Sequence, residues 1–98
     1  MQSKRQIEAR LDRLIPTLIA DLDEQIKRPI DFDFSKPVLR ARFRDLQNAS
    51  VEHRRLDAVR IANDLAVMLQ VKTDSWLGER LRKALTLAAM YRQLRKLP

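Results

Sequence analysis

A long stripe of apolar residues near the start of the chain restricts its fold more than any other feature of the sequence. The stripe recurs at steps of three and four residues over more than five helical turns: Ile7, Leu11, Leu14, Ile15, Leu18, Ile19, Leu22 and Ile26. This spacing, preceded by a Ser3 and Gln6 capping-box pair, predicts a long amphipathic helix from Lys4 to Lys27. Pro16 falls on the side away from the stripe, so we expect a kink there and no break.

The rest of the chain also favours helices over strands. The 98 residues include one glycine and four prolines, too few glycines for the turns of a sandwich or barrel. Apolar residues make up 45% and charged residues 34%, a balance typical of a folded protein. We therefore predict one all-α domain over residues 1–98, a compact four-helix bundle-like fold with a long, kinked first helix.

Three further helices follow from the patterns after the first one. The alternation of Ile30, Phe32 and Phe34 with polar residues predicts an extended segment, with Ser35 as the cap of the next helix. A short second helix is expected from Pro37 to Gln47, where Arg40, Arg42 and Arg44 flank the apolar positions Leu39, Phe43 and Leu46. Asn48 or Ser50 would form the turn, and a central third helix would run from Val51 to Gln70.

The fourth helix is expected to be long and to have a broad apolar face. Thr73 or Asp74 would cap it, it would end near Leu94, and its core face would comprise Leu77, Leu81, Ala84, Leu85, Ala88 and Tyr91. A second apolar line, made of Trp76, Leu87 and Leu94, widens this face beyond what one neighbouring helix needs. The extra width is either ordinary core or an interface, so these three residues are candidates for a protein interface in a homo-oligomer or with another protein.

Several classes of function have no support in the sequence. The absence of cysteine excludes disulfides and thiolate metal sites, and a phosphate-cradling loop is excluded because Gly78 is the only glycine. His53, the only histidine, lacks a nucleophile or an orienting acid at a useful spacing. With no secretory or membrane-spanning segment evident, we expect a cytoplasmic, non-enzymatic protein without cofactor, metal or membrane partner.

A helix-turn-helix is one alternative for the stretch from Leu65 to Leu81. Ala66, Leu69 and Val71 suit its first helix and turn, but Gln70 replaces the usual turn glycine. Glu79 would also occupy a core position of that motif. The match to a sequence-specific DNA-binding motif is therefore incomplete.

Positive charge is concentrated in the last two-thirds of the chain. Residues 1–35 contain 6 basic and 7 acidic side chains, whereas residues 36–98 contain 14 basic and 6 acidic ones. Arginine outnumbers lysine by 14 to 6, which favours contacts with phosphate oxygens. The candidate nucleic-acid-binding residues are Arg40, Arg44, Arg54, Arg55, Arg80, Arg82, Lys83, Arg92, Arg95 and Lys96.

These observations predict a small basic protein that binds the phosphate backbone of DNA or RNA without strong sequence specificity, as an accessory subunit of a larger nucleoprotein complex. The alternative is a protein-interaction module, such as a regulator, inhibitor or chaperone of phage or plasmid type. In that interpretation the broad face of the fourth helix would dock an acidic protein surface. Within the second helix, Arg40 and Arg44 share one side, and Arg42 is expected either to snorkel along the apolar surface or to pair with an acid.

Overall fold

The computed structural model of the chain describes residues 2–28 and 36–96, and the described residues form an all-α bundle. Its elements are α1 (Lys4–Lys27), α2 (Lys36–Val51), α3 (Arg55–Met68) and α4 (Trp76–Arg95). The extended segment predicted around Phe32 and Phe34, with its cap at Ser35, lies outside the described residues.

The first helix has the predicted limits and the predicted N-terminal cap. The backbone N–H of Ser3 donates to Gln6 Oε1 at 2.8 Å, and the backbone N–H of Gln6 donates to Ser3 Oγ at 3.2 Å. The helix continues through Pro16, which is exposed, because that residue lies opposite the buried stripe. The predicted absence of a break is confirmed, and the size of any bend there stays a prediction.

The core lies between two central helices, α1 and α3, each of which packs against all three other helices. Described residues of α2 and α4 do not contact each other, so these two helices lie on different sides of the central pair. α4 runs antiparallel to α1, because Glu8 meets Tyr91 near one end and Asp21 meets Arg80 near the other. The start of the chain is therefore brought beside the end of α4.

The second helix is longer than predicted. It continues to Val51, so Asn48 and Ser50 lie inside it and the turn predicted at those residues is wrong. The physical reason is packing, because Ala49 follows Leu46 by three residues and both are buried on the same face. Burial of this extra turn outweighs the low helix propensity of the polar residues around it.

The turns after α2 and α3 have the same backbone geometry. His53 and Gln70 both adopt the left-handed conformation, with φ of 57° and 56°. After α2, the N–H of Arg54 donates to Ala49 O at 2.8 Å and that of His53 to Ser50 O at 3.1 Å. Equivalent bonds follow α3, so both helices end in a Schellman motif without glycine. The third helix therefore begins at Arg55, and its predicted start at Val51 is wrong.

The N-cap of the fourth helix lies one or two residues after the predicted caps, Thr73 and Asp74. Ser75 is the N-cap, and its Oγ accepts a hydrogen bond from the N–H of Gly78 at 3.0 Å, whereas Thr73 and Asp74 belong to the preceding turn. Gly78 allows this geometry, because a Cβ at that position would overlap the carbonyl oxygen of Lys72. The predicted end near Leu94 is confirmed to within one residue.

The second apolar line predicted on α4 does not form an outward surface. Leu87 is only 4% exposed and belongs to the core, and Leu94 is partly buried against that core. Trp76, at 74% exposed, is the one residue of the three that is available to a partner. Of the two alternatives, ordinary core is the correct one for Leu87, because α1 and α3 both pack against α4 and cover a wider arc than one neighbour would. Conversely, the predicted core residue Leu85 is 39% exposed.

Candidate functional site

Four of the ten predicted nucleic-acid-binding residues form ion pairs. Arg54 contacts Glu52 and Asp57, and Arg82 contacts Glu79 at 3.2 Å. The other two pair with acids of α1, as Arg80 does with Asp21 at 2.6 Å. The remaining six form no ion pair with another described residue: Arg40, Arg44, Lys83, Arg92, Arg95 and Lys96.

A cleft of about 510 Å³ at one end of the bundle gathers cationic side chains from three parts of the chain. We call it the basic cleft, and it is lined by Lys4, His53, Arg54, Arg55, Leu56, Asp57, Tyr91 and Arg95. Lys4 belongs to the first turn of α1, residues 53–57 to the α2–α3 turn and the start of α3, and Arg95 to the last turn of α4. The antiparallel packing of α1 and α4 brings these groups together.

Arg55, in the basic cleft, pairs with two acids of α1. Its Nε donates to Asp12 Oδ1 at 2.7 Å and its Nη2 to Asp12 Oδ2 at 2.9 Å, a bidentate pair, while Nη1 lies 3.7 Å from Glu8 Oε2. The hydrogen bonds from Arg55 hold the pKa of Asp12 below its ordinary value of 3.8, against the opposing effect of burial. With 18% of its side chain exposed, Arg55 mainly ties α3 to α1.

Lys4 and Arg95 have a different environment from Arg55. The Nζ of Lys4 and the guanidinium carbon of Arg95 each lie 5.9 Å from the centre of the Tyr91 ring. The Tyr91 hydroxyl in turn donates to Glu8 Oε1 at 3.3 Å, which fixes the ring between the helices. Both cations are exposed and pair with no described acid, so they supply positive charge that the cleft does not neutralise.

The first turn of α3 contributes both basic and acidic groups to the basic cleft. Arg54 is the N-cap of this helix, but its side chain makes no capping hydrogen bond, and Arg55, Leu56 and Asp57 line the cleft. The N–H groups of a first helical turn carry a partial positive charge. Arg54 is itself paired with Glu52 and Asp57, and these hydrogen bonds raise its pKa.

Sequence reasoning missed Lys4 and assigned Tyr91 only to the core. The missing information was the direction of packing, because Lys4 lies in the acidic part of the chain and 91 positions from Arg95. An antiparallel arrangement of two long helices would have placed their opposite termini side by side. His53 is the left-handed residue that ends α2.

Of the ten predicted nucleic-acid-binding residues, only Arg54, Arg55 and Arg95 line the basic cleft, and the other seven lie outside it. Arg40 and Arg44 are exposed on α2, and Lys83 and Arg82 are exposed on α4. Arg80 lies at the far end of α4, where its guanidinium carbon is 4.8 Å from the Trp76 ring centre. Arg92 and Lys96 flank Arg95 in sequence without lining the cleft.

Arg42 pairs with acids, which is one of the two outcomes predicted for it. It donates to Asp64 at 2.7 Å and to Asp45 at 3.3 Å, and these bonds raise its pKa. It therefore links α2 to α3 and is separate from Arg40 and Arg44.

The stretch from Leu65 to Leu81 does not have the geometry of a helix-turn-helix. The connection between α3 and α4 has seven residues, more than the three or four of a helix-turn-helix, and Glu79 is exposed instead of occupying a core position. Among residues 2–28 and 36–96, no cluster of three potential metal ligands occurs. None of the described helices has the length and hydrophobicity required to cross a bilayer.

Comparisons of the chain with protein-family models, with curated proteins and with solved structures found no match.

Proposed function

We propose that the protein binds the phosphate backbone of nucleic acid through the basic cleft, without strong sequence specificity, as a non-enzymatic accessory subunit of a cytoplasmic nucleoprotein complex. One observation supports this most directly, namely the convergence of cations from α1, the α2–α3 turn and α4 on one concave surface. Two of these cations, Lys4 and Arg95, have no described acidic partner, and exposed cations on a concave surface attract polyanions.

The charges of the cleft divide into two kinds, and this division supports phosphate as the ligand. Arg54 and Arg55 are held by acids and shape the walls, while Lys4 and Arg95 retain donors for an incoming anion. A protein with a net charge of +7 also attracts a polyanion at longer range. Phosphate oxygens accept hydrogen bonds from both ammonium and guanidinium groups.

The expected lack of base specificity follows from the aromatic residues. Tyr91, the aromatic residue of the cleft, is buried, with the charged groups of Lys4 and Arg95 near its ring. Trp76 alone among the described aromatic residues is exposed, and it lies at the other end of α4. Stacking on bases needs exposed rings, so contacts in the cleft would be made to the backbone.

The test compares two double variants that lose the same charge. Lys4→Gln with Arg95→Gln removes one lysine and one arginine from the cleft. Arg44→Gln with Lys83→Gln removes the same two residue types from exposed positions outside it. Binding to a labelled single strand and a labelled duplex is measured by fluorescence anisotropy over a series of salt concentrations.

We expect wild-type affinity to fall linearly on a log–log plot as salt rises. The cleft variant should bind roughly tenfold more weakly at low salt, and its slope for the duplex should be smaller by roughly 2. The control variant should lose less in both measurements. Binding that is undetectable at low salt, or that does not weaken with salt, would contradict phosphate binding, and equal losses in both variants would contradict the basic cleft as its location.

A further inference from the structure

A second concave surface, unlike the basic cleft, lies between α3 and α4 and is largely apolar. It has a volume of about 340 Å³. We call it the α3–α4 groove, and its apolar lining comprises Ala66, Val67, Val71, Gly78, Leu81 and Leu85. Ala66 and Leu81 are buried and form its floor, whereas Val67 is 70% exposed and Leu85 39% exposed. The large apolar side chains of Val67 and Leu85 are thus exposed to solvent at the groove.

The groove has the dimensions of a site for a short helix. On α4 its lining runs from Gly78 to Leu85, about two turns and roughly 10 Å along the axis. The described part of α2 does not reach it, because that helix contacts α1 and α3 but not α4. Positions 78, 81, 82 and 85 of α4 follow the spacing that places residues on one face of a helix.

The groove is also rigid at one end. Gly78 packs so closely on the turn before α4 that a Cβ there would overlap Lys72 O. Val71 follows the left-handed residue Gln70, and its N–H donates to Ala66 O at 2.9 Å. A preformed groove binds a partner with a smaller ordering cost than a flexible one.

The charges beside the groove decide between an acidic partner and a second copy of this chain. Arg82 lines the groove and is 72% exposed, paired with Glu79 at 3.2 Å in a surface ion pair that contributes little. A two-fold contact through the groove would bring Arg82 of each copy together between two molecules of net charge +7. An acidic side chain on the occupant would instead replace Glu79 as the partner of Arg82.

We propose that the α3–α4 groove binds an amphipathic helix of a partner protein, with apolar side chains against Val67 and Leu85 and an acidic side chain beside Arg82. This interaction differs from nucleic-acid binding because it uses a different surface. It would allow the protein to hold a protein neighbour and a polyanion at the same time.

The experiment selects the partner chemistry from a displayed library of amphipathic helices about 14 residues long, roughly four turns. Their apolar positions are kept and their flanking positions are varied among acidic, basic and neutral residues. The best helix is then synthesised, and its binding is measured by fluorescence anisotropy against wild-type protein, Val67→Asp and Val51→Asp. Val51 is a matched control because it is 79% exposed at the end of α2, away from the groove.

We expect the selected helices to carry acidic flanks, and Val67→Asp to weaken binding about tenfold or more, as at the centre of an interface. Val51→Asp should bind like the wild type. Arg82→Glu should weaken the acidic helix, and a lysine in place of its acidic residue should restore binding to that variant. Nucleic-acid binding by Val67→Asp should remain unchanged, whatever the outcome for the basic cleft.

Three results would overturn the proposal. The first is a selection that yields no binding helix or favours basic flanks. The second is a helix that binds Val67→Asp as well as it binds the wild type. The third is concentration-dependent dimerisation in sedimentation that Val67→Asp abolishes, since the groove would then be occupied by a second copy of the chain.

Discussion

Each end of α4 places an arginine guanidinium beside an aromatic ring, but only one of these two arginines has a described acidic partner. Near its start, the guanidinium of Arg80 lies 4.8 Å from the centre of the Trp76 ring, and near its end, that of Arg95 lies 5.9 Å from the centre of the Tyr91 ring. Arg80 is ion-paired with Asp21, whereas Arg95 has no described acidic partner and is joined by Lys4. The charge at the first end is neutralised, and that at the second end is not.

This difference in neutralisation is caused by the positions of the acidic residues in α1 and not by the sequence of α4. The sequence separates an acidic first third from a basic remainder, but folding places the acids of α1 against arginines of α3 and α4. Asp12 and Glu8 pair with Arg55, and Asp21 pairs with Arg80. A local count of arginines therefore overestimates the available charge, and Lys4 and Arg95, which have no described acidic partner, meet where the start of α1 lies beside the end of α4.

The largest expected effect on stability concerns Gly78, near the Trp76 end. Helix propensity alone predicts that Gly78→Ala would stabilise the protein by about 1 kcal/mol. The added Cβ would instead overlap Lys72 O, which is backbone, so we expect a net destabilisation of about 3 kcal/mol. Chemical denaturation measures the change. Gln93→Ala, at an exposed position near the other end of α4, is the control and should change stability by less than about 0.5 kcal/mol. A stabilised Gly78→Ala variant would show that the close approach is unimportant.

The parts of the fold that could be predicted are those governed by periodicity. The limits of α1 follow from its stripe and its Ser3 cap, and both are confirmed. The limits of α2 and α3 could not be read in the same way, because the residue that ends α2 is His53 in a left-handed conformation and not a glycine. The basic cleft depends on Lys4 meeting Arg95, a contact between distant helices that no local pattern encodes.

The ion pairs of Arg55 and Arg80, which lie toward opposite ends of the bundle, differ in burial and in the number of acids that face each arginine. Arg55 is 18% exposed and faces two acids, whereas Arg80 is 28% exposed and faces one. Arg55→Met should destabilise the protein by about 2 kcal/mol, since it leaves Asp12 and Glu8 close together without a cation. Arg80→Met should cost about 1 kcal/mol. Urea denaturation at neutral pH gives both values, and the reverse ranking would contradict the more structural role assigned to Arg55.

The response to acid should depend on Asp12 at the cleft end. Its pKa lies below 3.8 in the folded protein because of the Arg55 hydrogen bonds, so the unfolded chain takes up its proton first as the pH falls. The stabilisation by Asp12 is therefore complete above about pH 5 and is lost as the pH falls through its folded pKa. The stability difference between wild type and Asp12→Asn should be constant from pH 7 to about 5 and should shrink below pH 3.8. Denaturation curves at a series of pH values test this, and a constant difference down to pH 2 would contradict it.

The smallest expected effect is a gain in stability on replacing the left-handed residue at either end of the bundle with glycine. His53 beside the basic cleft and Gln70 at the other end both hold left-handed backbone that costs a side-chain-bearing residue about 1 kcal/mol. Glycine relieves this strain but increases the entropy of the unfolded chain, so His53→Gly and Gln70→Gly should each stabilise the protein by about 0.5 kcal/mol. Thermal denaturation of the two single variants and the double variant measures the gains. Because the turns lie at different ends, the gains should add, and a destabilised His53→Gly variant would indicate that its imidazole makes a stabilising contact in the cleft.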